Sequence, residues 1–182
     1  MNPALIERAS HGDQRAFDEI ASTEVDRLHA IAHLVLRDPD LAQDAVQEAL
    51  VRCWRQLPKL RDPQRFDGWL YRILMRTVAD EYRRRHRLEA SIQTLRVEPA
   101  QADGTADRAD RDQLERGFRR LSLDHRAVVV LHHYVGLSLP EVAEALGISP
   151  GTAKSRHHYA MRALRAALEA EARVSVPGEA LA

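Results

Sequence analysis

Apolar side chains recur three and four positions apart in two long blocks of this chain, and the recurrence stops between about residues 89 and 111. That period belongs to helices that bury one stripe, whereas strands need strict alternation, and no alternating run of convincing length is present. The spacing predicts helices over Asp13–Leu36, Asp40–Leu57 and Phe66–Arg87 in the first block. In the second it predicts Asp112–Arg120, Asp124–Tyr134, Ser138–Leu146 and Ser149–Glu171. Asp38-Pro39 separates the first two helices, because proline cannot continue a helix and biases the residue before it to extended backbone. The gap carries Glu98-Pro99-Ala100-Gln101-Ala102-Asp103-Gly104-Thr105, a polar, turn-forming stretch that reads as a flexible linker. The expected fold class is all-α: two small helical domains, 1–90 and 112–173, a linker over 91–111 and a frayed tail over 174–182.

Within the second helix the predicted buried stripe is Ala42, Val46, Ala49, Leu50, Cys53 and Leu57, with Trp54 at its edge. Phe66, Trp69, Leu70, Ile73, Leu74, Thr77, Val78 and Tyr82 give the third helix its apolar side, and Trp69 and Tyr82 are expected to pack in the core. The zero net charge conceals an asymmetry. Residues 1–50 hold 4 basic and 10 acidic side chains, and residues 51–100 hold 12 basic and 6 acidic. An acidic front beside a basic second quarter suggests two different partners.

Several classes drop out. Cys53 is the only cysteine, so neither an internal disulfide nor a cysteine-rich zinc site can form, and its place on a buried stripe disfavours a redox role. No run of about 18 apolar residues exists, and Met1–Ser10 lacks the basic-then-apolar order of a signal peptide, so the expectation is a cytoplasmic protein without membrane insertion. There is no glycine-rich phosphate loop, nucleophile elbow or paired-carboxylate site, hence no catalytic residue and no cofactor is expected. His29 and His33 lie four apart but without an HExxH pattern, and the adjacent pairs His132-His133 and His157-His158 should diverge on a helix. The expected metal set is therefore none.

The most specific local pattern runs from Ser138 to Leu168. Ser138 followed by Glu141 is a capping box, Gly147 is a C-terminal stop, and Ser149-Pro150 starts another helix. Two helices joined by a tight glycine turn make a helix-turn-helix. From Ser149 to Leu168 there is no acid, while Lys154, Arg156, Arg162 and Arg165 supply four positive charges. An apolar stripe of Ala153, His157, Ala160, Met161, Leu164 and Leu168 would turn Thr152, Ser155, Arg156, Tyr159 and Arg162 outward, the layout of a helix that enters the DNA major groove.

Gly136-Leu137-Ser138, Glu141-Val142-Ala143-Glu144-Ala145-Leu146-Gly147-Ile148-Ser149 and Gly151-Thr152-Ala153-Lys154-Ser155-Arg156 together resemble the C-terminal domain of extracytoplasmic-function sigma factors, subunits of bacterial RNA polymerase. Asp44-Ala45-Val46-Gln47-Glu48-Ala49 with Trp54 resembles the helix with which that family grips the polymerase clamp. Phe66-Asp67-Gly68-Trp69-Leu70-Tyr71-Arg72-Ile73, Asp80 and Arg83-Arg84-Arg85 resemble its promoter-melting and −10 segment. The resemblance spans about residues 10–172, with all three motifs in order.

It implies a sigma factor that binds core polymerase at clamp and flap, recognises −10 and −35 elements, initiates transcription and answers to an anti-sigma factor or a stress signal. It assigns Asp44, Gln47 and Glu48 to polymerase, Arg72, Arg76, Asp80, Arg83, Arg84 and Arg85 to −10 DNA, and Thr152, Lys154, Ser155, Arg156, His158 and Arg162 to −35 DNA. Three positions depart from the family pattern: Arg76 where asparagine is usual, His157 where an aliphatic residue is expected, and Tyr159 where arginine is frequent. The helix-turn-helix alone also fits a dimeric, stand-alone transcriptional regulator with an N-terminal sensing domain, which would bind DNA stably without polymerase. A helical enzyme would need a convergent polar site that the sequence does not offer.

Overall fold

The computed structural model describes residues 2–93 and 116–174. Its first helix, α1 (Pro3–Ser10), precedes the earliest one the periodicity predicts. The Asn2 side chain accepts from the Ala4 N–H at 3.0 Å, Pro3 fits the first helical position, and Leu5, Ile6 and Ala9 are buried. Asp13 caps α2 (Gln14–Leu36) by accepting from the Ala16 N–H at 3.1 Å. That backbone bond, and after it the Arg8 guanidinium, hold the Asp13 carboxyl below its ordinary range.

The chain leaves α2 through Arg37, whose φ of 61° is left-handed, and Asp38 at once caps α3 (Pro39–Gln56). Short 3₁₀ turns at Leu57–Lys59 and Pro63–Arg65 lead into α4 (Phe66–Gln93), which runs past the expected end at Arg87 and past the boundary placed at residue 90. The rest of the expected linker, and the tail after Val174, lie outside the described residues.

The second half opens with a helical turn at 116–119, the described part of the helix expected over Asp112–Arg120. A Cβ at Gly117 would sit 3.2 Å from the Ala167 Cβ, so the glycine lets this turn pack closely on the helix that carries Ala167. Ser122 caps α5 (Leu123–Val129). The expected single helix to Tyr134 instead widens into a π-helical turn over Val130–Tyr134, where the Val135 N–H donates to the Val130 carbonyl five residues back at 3.0 Å. Then come α6 (Leu139–Leu146) and α7 (Pro150–Val174).

No strand occurs among the described residues. In the first half, α3 packs on α2 and α4 around Ile20, Leu28, Ile31, Phe66, Leu70 and Leu74. Each such buried side chain contributes about 1.5–3 kcal/mol through area removed from water. Helix α4 buries more than the predicted stripe, adding Tyr71 and Met75. Met75 lines a cavity with Ala145 and Leu146 of α6, which lies across α4, so the two halves touch, while the Arg27 guanidinium of α2 lies 5.1 Å from the Tyr71 ring centre. Ala127, Val128, Val130, Leu131, Val142 and Ala145 join the first half's apolar cluster, while Leu121, Val129, Ala160 and Leu164 form a smaller one of their own.

Candidate nucleic-acid and polymerase interfaces

The helix-turn-helix is built as its sequence requires. Glu141 Oε2 accepts from the Ser138 N–H at 2.8 Å and from the Ser138 hydroxyl at 2.6 Å, and these bonds hold the Glu141 carboxyl below its ordinary range. Gly147 ends α6 at φ 65°, a conformation a side chain would strain. The Ile148 N–H then donates to the Ala143 carbonyl at 3.0 Å. Ser149 Oγ accepts from the Thr152 N–H at 3.1 Å to start α7.

On α7, Ala153, Ala160 and Leu164 are buried, and Thr152, Lys154, Ser155, His158, Tyr159 and Arg162 are exposed. The Arg162 guanidinium lies 5.3 Å from the Tyr159 ring centre, a cation–π contact that orients it. Arg156 departs from the expected outward position: it is half-buried and paired with Asp124 of α5 at 2.5 Å.

The first half brings together two residue sets that the sequence keeps apart. Asp44 accepts from Arg84 at 3.3 Å, and Glu48 accepts from Arg52 at 2.7 Å. Arg52 also reaches Asp80 at 2.9 Å, and Asp80 accepts from Arg83 at 2.6 Å. Asp44 thus meets an α4 cation, Arg84, while Glu48 pairs within α3 with Arg52, and Gln47 beside them is exposed. Arg52, and after it Arg83, hold the Asp80 carboxyl below its ordinary range. A carboxylate so held positions arginines; it does not itself attract phosphate. Arg84 is held chiefly by Glu81, Arg76 and Arg85 are exposed, and Trp69 and Tyr82 pack half-buried against the core as expected.

Arg72 is engaged with the second half. Its Nε donates to the Glu144 carbonyl at 3.2 Å, and its terminal nitrogen donates to Glu144 Oε1 at 3.1 Å. Arg65 donates to the same oxygen at 2.7 Å. Glu144 sits on α6, so a helix-turn-helix carboxylate clasps two arginines of the first half. Beside the clasp, Arg52, Arg76 and Arg83 face Arg156 and Asp124 across a cavity of about 410 Å³. No sequence signal marks this clasp, because its partners lie 72 and 79 residues apart.

Of the residues set aside, Cys53 is buried and its thiol is pushed up to about 12 by that burial, so no thiolate forms near neutrality. His29 and His33 stack with ring centres 6.4 Å apart. His132 and His133, expected to diverge, instead come together with His157, and the three offer ligand atoms within 4.8 Å of one another.

Residues 20–88 match the Sigma-70 region 2 family, and residues 117–166 match Sigma-70 region 4. The RNA polymerase sigma-E factor of Streptomyces avermitilis is 36% identical over 160 residues, covering 88% of this chain and 89% of that protein. The chain belongs to the extracytoplasmic-function sigma factors. A second relative, the ECF RNA polymerase sigma factor SigL of Mycobacterium tuberculosis, is 35% identical over 136 residues, 72% of this chain and 77% of that one.

Among solved structures, CnrH in complex with the cytosolic domain of CnrY aligns at a TM-score of 0.65 with 30% identity, covering 92% of this sigma factor and 97% of that chain. The sigma factor RpoE in complex with the anti-sigma factor NepR from Bartonella quintana aligns at 0.68 with 25% identity, covering 84% and 96%. Both family regions are present in order, so the sigma factor is a transcription initiation factor that binds core RNA polymerase and promoter DNA, and not a stand-alone regulator. No helix among the described residues is long and apolar enough to cross a membrane.

Proposed function

We propose that the structure is the closed form of a cytoplasmic, non-catalytic specificity subunit, and that its two halves must part before both promoter elements are engaged. Residues 1–90 dock on the polymerase clamp through Asp44, Gln47 and Glu48. Arg72, Arg76, Arg83, Arg84 and Arg85 hold −10 phosphates, with Asp80 keeping Arg83 in place. Residues 112–173 meet the flap and read the −35 element. There Lys154, His158 and Arg162 meet backbone, while Thr152, Ser155 and Arg156 approach bases near the helix N-terminus. The observation that carries this reading is the recognition helix itself, which has no acid from Ser149 to Leu168 and exposes Thr152, Lys154, Ser155, His158 and Arg162.

Two pairings support an opening step. Arg72 serves the clasp on Glu144 and cannot hold DNA until that clasp is released. Arg156 must leave Asp124 before it reads a base. Two solved relatives are complexes, one described as held by an anti-sigma factor, which supports an anti-sigma partner for this chain too.

Run-off transcription with core polymerase on promoter libraries tests the assignment. Arg156→Ala should relax preference at one −35 position, since a bidentate arginine–guanine contact contributes about 1–3 kcal/mol of discrimination. Arg162→Ala should weaken all promoters alike and reduce the salt dependence of binding. Unchanged output from both variants would remove α7 from promoter reading.

A further inference from the structure

Three histidines meet where α7 crosses the π-helical turn. In an α-helix, neighbouring side chains diverge by about 100°, which would send His132 and His133 apart. The i→i+5 bond from Val135 to Val130 adds a residue to this turn and narrows that angle. The two rings therefore lie with centres 4.7 Å apart, and the His157 ring stands 4.9 Å from one and 5.2 Å from the other.

Their nitrogens are set for ligation. His132 Nδ1 lies 2.6 Å from the Leu137 carbonyl, which can only accept, so Nδ1 donates there and Nε2 is the ring nitrogen left open to a metal. His133 Nε2 and His157 Nε2 face each other at 3.0 Å. A tetrahedral zinc ion with nitrogens at about 2.05 Å holds neighbouring ligands about 3.3 Å apart, close to that spacing. His133 is exposed and the other two are half-buried, so an ion has a path from solvent.

We propose that His132, His133 and His157 bind one divalent transition-metal ion of the zinc class, stapling the recognition helix to the π-helical turn before it. The inference goes beyond promoter recognition and stands or falls apart from it. Three imidazoles satisfy three positions, and the fourth is left for water or a donor from a bound partner. Imidazole suits zinc, nickel and copper, so the donor set names the class and titration ranks its members.

The test uses the tag-free full-length chain titrated with Co²⁺, read by its d–d absorption, and with Zn²⁺ and Ni²⁺ by competition and thermal melting. One equivalent should bind with the visible bands of a four-coordinate site, and Zn²⁺ should raise the melting temperature by several degrees. His157→Leu, which places an aliphatic side chain on the apolar stripe, and His133→Ala, at an exposed position, should each abolish the bands and the thermal shift. If His157→Leu fails to fold, His133→Ala decides. His29→Ala should bind as the parent does. No binding by the parent chain, or binding retained in His133→Ala, overturns the proposal. Loss confined to His29→Ala also overturns it, by moving the ion to α2.

Discussion

The two halves of this sigma factor differ in where they find their core. The first half buries Ile6, Ile20, Leu28, Ile31, Leu57, Phe66, Leu70, Tyr71 and Leu74 almost completely. In the second, Leu131 alone joins that group of large side chains among the described residues. Its separate cluster is Leu121, Val129, Ala160 and Leu164, and its remaining apolar surface is spent against the first half. A unit of about 60 residues buries too little to be more than marginal alone. The reading domain therefore leans on whatever surface covers it. When it leaves the first half it uncovers apolar area that a partner must take up, which suits a domain that exchanges surfaces.

The sharpest way to break the comparison is to cut one leucine from each core. Leu74→Ala removes a fully buried side chain from α4 and should cost about 2–5 kcal/mol in urea denaturation followed by circular dichroism. Leu164→Ala sits in a small cluster of mostly small neighbours at the edge of the fold and should cost about 2 kcal/mol, the low end of the range. A Leu164→Ala loss equal to or above the Leu74→Ala loss would show the second core to be the stronger, and the comparison would fail.

Arg126 marks the seam between the halves. It is a buried cation on α5, its Nε has no hydrogen-bond partner, and burial, then Arg37, lower its proton affinity. Parting the halves would return this charge to water, so Arg126 works against closure. Arg126→Met should stabilise the closed form by about 1–4 kcal/mol, the gain seen when buried charge gives way to packed apolar volume. The readouts are a raised melting temperature and slower assembly with core polymerase. A lower melting temperature in Arg126→Met would mean that the packing of the guanidinium in the seam outweighs the cost of burying its charge.

How much of this could be read from the chain depends on the range of the interactions. Caps and turns are local, so Ser138 with Glu141, Gly147 and Ser149-Pro150 fixed the helix-turn-helix in advance. Helix α1 was missed because eight residues give too short a period, although Asn2-Pro3 is itself a start signal. Met75 falls off the predicted stripe because a single-face rule cannot foresee α6 meeting a second face of α4, and Tyr71 because α2 brings Arg27 over its ring. The histidine cluster was unreadable for a different reason: it depends on one extra residue in a helical turn, which periodicity does not register. Asp44 and Glu48 share one face of α3, and Glu48 meets Arg52 only four residues on, but the Arg84 that meets Asp44 lies 40 residues away and the Asp80 that meets Arg52 lies 28.

The smallest effect should come from the clasp, and it separates stability from switching. Arg65 and Arg72 both reach Glu144, whose side chain is about half exposed, so solvent screens the pairs and each contributes at most about 1 kcal/mol. Glu144→Arg replaces two attractions with two repulsions at the edge of the seam and leaves the buried apolar contacts untouched. Global unfolding should move by about 1 kcal/mol or less, because the core of the first half sets it. The balance between closed and open forms should move more visibly, since a change of 1.4 kcal/mol is a tenfold shift in such an equilibrium. Energy transfer between dyes on α2 and α7 should fall in Glu144→Arg at low salt, and the difference from the parent should shrink as salt rises. Unchanged transfer at low salt would mean that the apolar seam alone holds the halves, and that Arg72 is withheld from DNA by packing and not by the clasp.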